Sequence, residues 1–598
     1  MTVSSTTAPL KTAAKWLYNV LKEDFWLILV YTLILDTCIL CTTTPIGVML
    51  RRNILQLLPA CFLQAYCICL IGRAIRACCG RKVFIVWHII CHIILYFISF
   101  TGLFLAKEFG LLFNSATLQL FFQSNPNESK EFLTAYLTSP ATMYALAIVL
   151  GVGIAEFLVL RYLRRFNPFN ARWFRILMIP TMILCAINSG VSIYIASASN
   201  ETIAYYRAQD TFFVLRNNYL VQFITAFKTI GDNSKIIEYV TENVNDTRLN
   251  GQSDYAGEIV VVIGESHNKK HSSLYGYAKE TNPRLKALTG NLFVFNDVIS
   301  YSNTTHLTLQ NLMSVASAND SLPWYKATLF PAVFKAAGWN VALCSNQFKH
   351  EKSGDIFNAA IDVIFNNDEV SEACFTTRNN SIFKYDSQMI DSLAANRNTL
   401  IDSTKPTLTI LQLMGQHVEY EKRYPAEKQH FKAADYADRK DLSDSQKDDV
   451  ANYDNACLYN DEQLARIFAS YADKDAIVIY FSDHGEEVHD YRKHLGRTHN
   501  LKEFAPNSYH YQFDIPFIVY VSDKYKANHP EIVEMIQRSV NRPFMTDDVC
   551  HLLFFLGGVQ TGWYDATKCL ISDKYKGAER HRVLDSGDDY DVISKIPE

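Results

Sequence analysis

Five apolar runs precede residue 200, at roughly 25–48, 54–72, 83–106, 142–163 and 173–197, and no run of comparable length follows. A bilayer core takes about 20 apolar residues per spanning helix, because backbone amides inside it must bond within their own segment. The 598-residue chain is therefore expected to divide in two. A five-helix transmembrane bundle over 1–200 comes first, then a water-soluble part. The first apolar run is too long for a cleaved signal peptide, and no short apolar core with a small-residue cleavage site precedes it.

Basic residues in short loops set the orientation. Lys11, Lys15 and Lys22 precede the first run, while Arg73, Arg76, Arg81 and Lys82 separate the second from the third. Arg161, Arg164, Arg165 and Arg172 separate the fourth from the fifth. These segments are expected on the cytoplasmic side, against which Arg51 and Arg52 are a mild contradiction. Five crossings then put the soluble part outside, in the periplasm of a Gram-negative cell. That makes the chain a multi-pass inner-membrane protein. Within the 107–141 loop, "LQLFFQSNPNESKEFL" has an amphipathic pattern and is expected as a helix on the outer membrane surface, near 117–137. A polar, Asn-rich connector with helical patches is expected over 201–255, and the candidate catalytic domain over 256–598. The small net charge of −4 implies no nucleic-acid partner.

Nine of the fourteen cysteines lie in or beside the apolar runs and read as packing residues. Cys344, Cys374, Cys457, Cys550 and Cys569 are too sparse a set for a disulfide framework, although Cys550 and Cys569 are open to pairing in an oxidising compartment. Asp36 and Glu156 fall inside predicted spans. An intramembrane carboxylate is either functional or tied to a polar neighbour, and both readings stand at this level.

Beyond Glu258, short uniformly apolar runs alternate with helical patterns, which predicts an α/β fold with a sheet buried on both faces. The runs are "EIVVVIGES" (258–266), "NVALCSNQ" (340–347), "TLTILQLMGQH" (407–417), "AIVIYFSDHG" (476–485) and "PFIVYVS" (516–522). Ligands of open α/β sheets gather at the carboxyl ends of parallel strands. There the runs deliver Glu265, then Asn346 and Gln347, then His417, then Asp483 and His484. One polar strand end is ordinary loop chemistry. Four on a single edge point to a metal, and Glu, Asp and His together suit zinc, with manganese as the alternative. Downstream, "SYSNTTHLTLQNLMS" (300–314) places Thr304 and Thr305 before an apolar helical pattern. A hydroxyl there either caps the helix or, beside a metal, attacks phosphorus. No GxSxG elbow and no GxxxxGK[ST] loop is present, so neither a serine hydrolase nor an NTPase is suggested.

The segments "VIGESHNKKHSSLYGYAKETNPRL", "TTHLTLQNLMS", "LMGQHVEYEKRY", "NYDNACLYND" and "SDHGEEV" occur in that order. In this the chain resembles the membrane phosphoethanolamine transferases of the alkaline phosphatase/sulfatase superfamily, over nearly its whole length. The resemblance implies an alkaline-phosphatase-like domain with a mostly parallel central sheet behind a five-span anchor. It implies zinc ligands at Glu265, Asp483 and His484, a metal-bound nucleophile at Thr305, and His417 near the phosphoryl group or a second metal. Glu486 matches the acidic residue after "DHG", and Glu128 the glutamate of the surface helix. Asn346 and Gln347 are expected to face substrate. The late histidine of the family has no clean match: His499 fits with a shift, and His494 is the alternative. Leu120 stands where the family often has an asparagine. The disulfide cysteines that flank the nucleophile in colistin-resistance enzymes are absent, with Ser302 or Asn303 where the first would fall. That places the chain nearer the cysteine-poor, core-heptose-modifying branch.

The implied activity is transfer of phosphoethanolamine from phosphatidylethanolamine to a lipopolysaccharide acceptor, through a threonine-bound intermediate, by a zinc-dependent monomer in the membrane. One zinc is expected, and whether a second joins with substrate is left open by the sequence. A phosphoglycerol transferase or membrane-anchored phosphodiesterase is the alternative within the superfamily. A non-catalytic membrane sensor is the alternative outside it, and the retained Thr305 argues against it.

Overall fold

The structure is a computed structural model describing residues 7–42, 54–108, 136–187 with breaks, and 235–595 with breaks, the longest being 348–363 and 498–507. It separates into two compact units, Met1–Gly231 and Asp232–Glu598.

In the first unit, α1 (Thr7–Glu23), α2 (Phe25–Thr42), α3 (Ile54–Glu108) and α4 (Pro140–Leu158) are the described long helices. Among the described residues two helices have the length and apolarity of a membrane span, Cys61–Leu105 and Pro140–Leu163. The first contains two of the expected spans. Gly80, at φ +85°, breaks the helix, and the two arms fold back so that Trp87 Nε1 donates to the Ile68 carbonyl at 3.2 Å. A left-handed φ at such a reversal suits glycine, which has no Cβ to clash. Asp24, at the junction of α1 and α2, ties down the first arm of this hairpin, accepting from Arg73 Nε at 2.5 Å and Nη2 at 2.7 Å. Asp36 lies in α2.

The second unit is built on a seven-stranded sheet. Its strands are β1 (Glu258–Gly264), β2 (Leu292–Phe295), β4 (Asn340–Ser345), β5 (Thr377–Arg378), β6 (Thr407–Gln412), β7 (Ala476–Ser482) and β10 (Phe517–Val521), in the order β2-β10-β7-β1-β6-β4-β5. Short pairs outside it are β3 (Val298–Ile299) with β11 (Phe544–Met545), and β8 (Glu487–Val488) with β9 (Leu495–Gly496). The five strands from β7 to β5 run parallel, and β10 runs antiparallel between β7 and β2, so a single strand is reversed and the sheet is mixed but mostly parallel, as expected. Alternate residues of β1 feed opposite cores. Ile259, Val261 and Ile263 pack with Ile477, Ile479 and Phe481 on one face. Val260 and Val262 pack with Val478 and Tyr480 on the other. Both faces are covered, which explains the uniformly apolar strands.

The soluble unit starts earlier than the expected boundary at 256. Residues 235–243 are helical, and Val240 and Val244 are buried in the main core. Thr328 Oγ1 donates to the Val244 carbonyl at 2.6 Å, and Trp563 Nε1 to the Asp246 carbonyl at 2.6 Å. The polar composition of this stretch hid two apolar anchors one helical turn apart. Cys550 and Cys569 are buried free thiols, so the pair left open by the sequence is not joined.

Candidate active site

Strand register assembles the site. β1 and β7 pair with Gly264 opposite Ser482, so the next residues, Glu265 and Asp483, leave the sheet side by side. β6 pairs Gln412 with Ile263 on the other flank. The turn after β6 then presses on Glu265: Gly415, at φ +48°, has room for no Cβ, which would come within 2.9 Å of the Glu265 backbone. Ser266, at φ +56°, is a non-glycine residue held in the left-handed region. Its N–H donates to Asp483 Oδ1 at 3.1 Å and its hydroxyl to Glu265 Oε1 at 2.7 Å. Tyr453 fixes the turn, donating to the Ser266 carbonyl and accepting from the Asn268 N–H.

Glu265, Asp483 and His484 are buried, and their ligand atoms all lie within 4.8 Å of one another. His484 Nδ1 lies 2.8 Å from the Gly485 carbonyl, so it carries the proton and Nε2 presents a lone pair. That Nε2 is 3.3 Å from Glu265 Oε1 and 3.3 Å from Asp483 Oδ2. Asp483 Oδ2 is buried without a hydrogen-bond partner. Thr305 begins helix α5 (Thr305–Met313), and its Oγ1 lies 3.1 Å from Glu265 Oε2 and 3.2 Å from His484 Nε2. Two carboxylates, one imidazole lone pair and one hydroxyl converging at this spacing fit a tetrahedral zinc with an oxygen-rich donor set. The unsatisfied Asp483 oxygen would find its partner there.

The electrostatics agree. Burial alone pushes Glu265 up, but His484, His417 and Arg497 pull it well below the usual carboxylate range. Burial and the neighbouring Glu265 charge hold Asp483 well above it. Two carboxylates this close do not both ionise without a cation. Burial and then Arg497 depress His484, and burial brings His417 down to about 4, so both imidazoles are neutral at pH 7. Burial pushes Glu486 up to about 7, although Arg497 opposes it.

The other expected site residues separate. Gln347 Nε2 donates to Glu265 Oε2 at 3.0 Å and to the Leu413 carbonyl at 2.7 Å, so it braces a ligand rather than facing substrate. Asn346 is fully buried and spent on protein, donating to Asp386 at 2.8 Å and accepting from the Phe383 N–H at 2.7 Å. Its expected substrate contact gives way to that support role. Glu486 accepts from Tyr420 at 3.2 Å. Thr304 occupies the N-cap position of α5 but makes no side-chain cap; its hydroxyl meets Ser302 Oγ at 3.0 Å. Glu128, His494 and His499 lie outside the described residues.

Two residues were missed from sequence. Arg497 follows β9, and its Nη1 lies 2.7 Å from His484 Nε2 and 3.2 Å from the Asn303 carbonyl. Asp585 accepts from Ser302 Oγ at 2.8 Å, and its N–H donates to the Tyr301 carbonyl at 3.2 Å, tying the threonine turn to the C-terminal segment. That tether stands where the resemblance led one to look for a cysteine. The only signal for Arg497 was its place between the two candidate histidines.

Fold and strand-end chemistry together define an alkaline-phosphatase-like α/β domain. Residues 258–555 match the family model described as Sulfatase, and this domain belongs to that family. The chain is similar to the phosphoethanolamine transferase EptC of Escherichia coli K12, 26% identical over 502 residues that cover 82% of each chain. It is also similar to the Kdo(2)-lipid A phosphoethanolamine 7''-transferase of Salmonella typhimurium, 28% identical over 307 residues, 51% of this chain and 50% of that one. The integral membrane lipooligosaccharide phosphoethanolamine transferase A of Neisseria meningitidis shares the fold, with a TM-score of 0.57 at 17% identity over 93% of this chain and 98% of that one.

Proposed function

We propose that the chain is a zinc-dependent, membrane-anchored phosphoethanolamine transferase. It takes phosphoethanolamine from phosphatidylethanolamine and passes it to a lipopolysaccharide acceptor, a lipid A phosphate or a core sugar hydroxyl. The carrying observation is the Thr305 hydroxyl, held 3.1 Å from Glu265 and 3.2 Å from His484 at a helix start. The names of relatives spanning 82% of the chain support the transferred group, and a lipid A-modifying relative over half the chain supports the acceptor class.

In the first displacement Thr305 Oγ1 attacks the donor phosphorus. An Oγ1–P bond forms, the bond from phosphorus to the diacylglycerol oxygen breaks, and the threonine proton ends, net, on that oxygen. In the second, an acceptor oxygen attacks the same phosphorus, gives up its proton, and Thr305 leaves as the alcohol. Glu265 Oε2 accepts the Thr305 hydrogen bond and so turns the remaining lone pairs toward the incoming phosphorus. Glu265, Asp483, His484 and the Thr305 oxygen would hold a zinc, which would supply Lewis acidity and lower the hydroxyl pKa. We assign His417, neutral at pH 7, as a group that can take up a proton from the reacting oxygens. A second ion near His417, or manganese in place of zinc, is compatible with this donor chemistry. Five spans carry the domain on the periplasmic face of the inner membrane, as a monomer.

The test is mass spectrometry of lipid A and core oligosaccharide from cells with and without the protein, expecting a gain of one phosphoethanolamine. Free phosphoethanolamine without a modified acceptor would make the enzyme a hydrolase, and a phosphoglycerol-modified acceptor would make it a phosphoglycerol transferase. After incubation with phosphatidylethanolamine, the peptide spanning Thr304 and Thr305 should carry the adduct on Thr305. Thr305→Ala should lose it while keeping zinc, because three protein ligands remain. An adduct on Thr304 would move the nucleophile.

A further inference from the structure

The β8–β9 hairpin turns the chain back over the site after Glu486. Its register, Glu487 opposite Gly496 and Val488 opposite Leu495, makes Arg497 the first residue beyond the pairing. Gly496 stands at φ +97°, a conformation that redirects the chain and that a side chain rarely tolerates. The Arg497 guanidinium thus lands among reacting groups. Nη1 is 2.7 Å from His484 Nε2 and 3.2 Å from the carbonyl of Asn303, two residues before the nucleophile. Nε is 3.3 Å from Glu486 Oε2, so one edge of the fork is held by a buried carboxylate. The side chain is 28% exposed, leaving part of the fork accessible from the open side.

A phosphodiester carries its charge on two non-bridging oxygens, and that charge must be met as the phosphoryl group transfers. The three convergent protein ligands place no fixed cation there. A planar guanidinium pinned along one edge, beside both the nucleophile turn and the ligand imidazole, matches a pair of oxygens better than a point charge does.

We propose that Arg497 is a catalytic residue that donates hydrogen bonds to the non-bridging oxygens of the transferring phosphoryl group. The assignment rests on phosphoryl transfer at Thr305. Glu486 becomes its positioning residue, fixing the fork through Nε.

The test uses the full-length protein carrying Arg497→Gln, Arg497→Lys, and the pair Glu486→Gln with Arg497→Gln, which removes both charges and leaves no unpaired carboxylate. Zinc content, thermal unfolding, single-turnover formation of the Thr305 adduct from phosphatidylethanolamine, and the Kd for inorganic phosphate are measured for each. Arg497→Gln is expected to keep wild-type zinc content and to lose about 10²–10³-fold in adduct formation, the usual loss for one preorganised donor. Phosphate binding should weaken at least tenfold (order of magnitude, for a charge-assisted hydrogen bond). Arg497→Lys should recover only part of the rate, since an ammonium does not bridge two oxygens. The double variant should be as slow as Arg497→Gln. A folded, zinc-replete Arg497→Gln or double variant with wild-type rate and phosphate affinity overturns the proposal. So does activity that falls only in proportion to zinc, which would make Arg497 part of the metal site. If the wild-type chain forms no adduct on Thr305, the transferase reading fails first, and the two failures are told apart by that control.

Discussion

The carboxylate–imidazole cluster around Glu156, half-buried in the first unit, and the one around Glu265, buried in the second, differ in what they leave unspent. In the membrane unit, Glu156 Oε1 lies 2.8 Å from His92 Nε2 and Oε2 accepts from Tyr96 at 2.6 Å. His92 Nδ1 lies 2.7 Å from the His88 carbonyl, and Tyr31 bridges the two histidines at 2.8 and 3.1 Å. Both oxygens of Glu156 are used. His88 Nε2 has no partner, but it is sealed against Gly72, where a Cβ would come within 2.7 Å, and among the described residues no ligand groups converge on it. In the soluble unit, Asp483 Oδ2 has no partner, while His484 Nε2 and the Thr305 hydroxyl, which converge on the same region, are met by Arg497 and Glu265. An unpaired buried polar group costs about 1–3 kcal/mol, more when charged. The first cluster avoids most of that cost internally and joins helices α2, α3 and α4. The second leaves Asp483 Oδ2 unpaired, a cost that a bound cation would remove. Unspent valence, rather than the presence of ionisable groups, separates a site from a strut, and it settles Glu156 on the paired side of the two readings open at sequence level.

The largest effect should come from removing a site ligand. Glu265→Gln is expected to abolish zinc binding in elemental analysis and with it the stabilisation that zinc supplies, about 4 kcal/mol when the metal stands a thousandfold above its Kd. Chelation should lower the Tm of the wild type and leave that of the variant unmoved. Equal chelator sensitivity in both would mean that the cluster is a second strut.

Asp585 marks the border between the two kinds of cluster. Burial pushes its carboxyl up to about 6 from 3.8, against the lowering effect of Ser302. A folded-state pKa raised for an acid means that the folded protein binds the proton more tightly. Stability is therefore greatest below the unfolded value and falls as pH rises through about 4 to 6, by at most about 3 kcal/mol. Asp585→Asn keeps an acceptor for Ser302 and removes the titration. Its stability relative to wild type should rise across that window and level off above it. Parallel unfolding curves for the two proteins between pH 4 and 7 would show that this carboxyl is not held as the tether requires.

How much of this was legible depended on how far apart in sequence the cooperating residues lie. Glu265, Asp483 and His484 were readable because each follows an apolar strand directly, and parallel strands must end on one edge. Gln347 was found at the right edge but given the wrong partner, since no pattern says whether a strand-end amide points at ligand or at a neighbouring carboxylate. Asn346 failed for the same reason, its amide being spent on Asp386, 40 residues away. Arg497 depends on a two-residue pairing and a left-handed glycine, and Asp585 reaches Ser302 across 283 residues. Neither leaves a periodicity to find. The connector was read as polar although Val240 and Val244 belong to the main core.

A strut should cost stability without touching chemistry. Glu156→Ala strands the His92 ring nitrogen and the Tyr96 hydroxyl in an apolar surrounding, an expected loss of about 1–3 kcal/mol. Zinc content and adduct formation should stay at wild-type level in the fraction that remains folded. Glu156→Gln, which can still accept from Tyr96, should lie between. Loss of adduct formation in a fully folded Glu156→Gln protein would restore the functional reading of this carboxylate.

The smallest effect should fall on the nearest neighbour of the nucleophile. Thr304 and Thr305 are adjacent and chemically identical, yet the helix start points them apart. Thr305 is half-buried and faces the ligands, whereas Thr304 is 7% exposed and its hydroxyl meets Ser302 Oγ at 3.0 Å. The capping role expected for it is not taken up, because the α5 N-cap makes no side-chain hydrogen bond. Thr304→Ala therefore removes one neutral hydrogen bond inside a turn that Ser302 still ties to Asp585, a loss of about 1 kcal/mol. Adduct formation should change by no more than a few-fold, because the Thr305 contacts to Glu265 and His484 do not pass through it. Thr304→Ser keeps the hydroxyl and should recover most of the stability. Single-turnover rates and thermal unfolding of both variants decide the matter. A loss in rate comparable to that of Thr305→Ala, at wild-type stability, would mean that the turn presents Thr304 to the phosphorus and that the strut and the site have been assigned to the wrong residues.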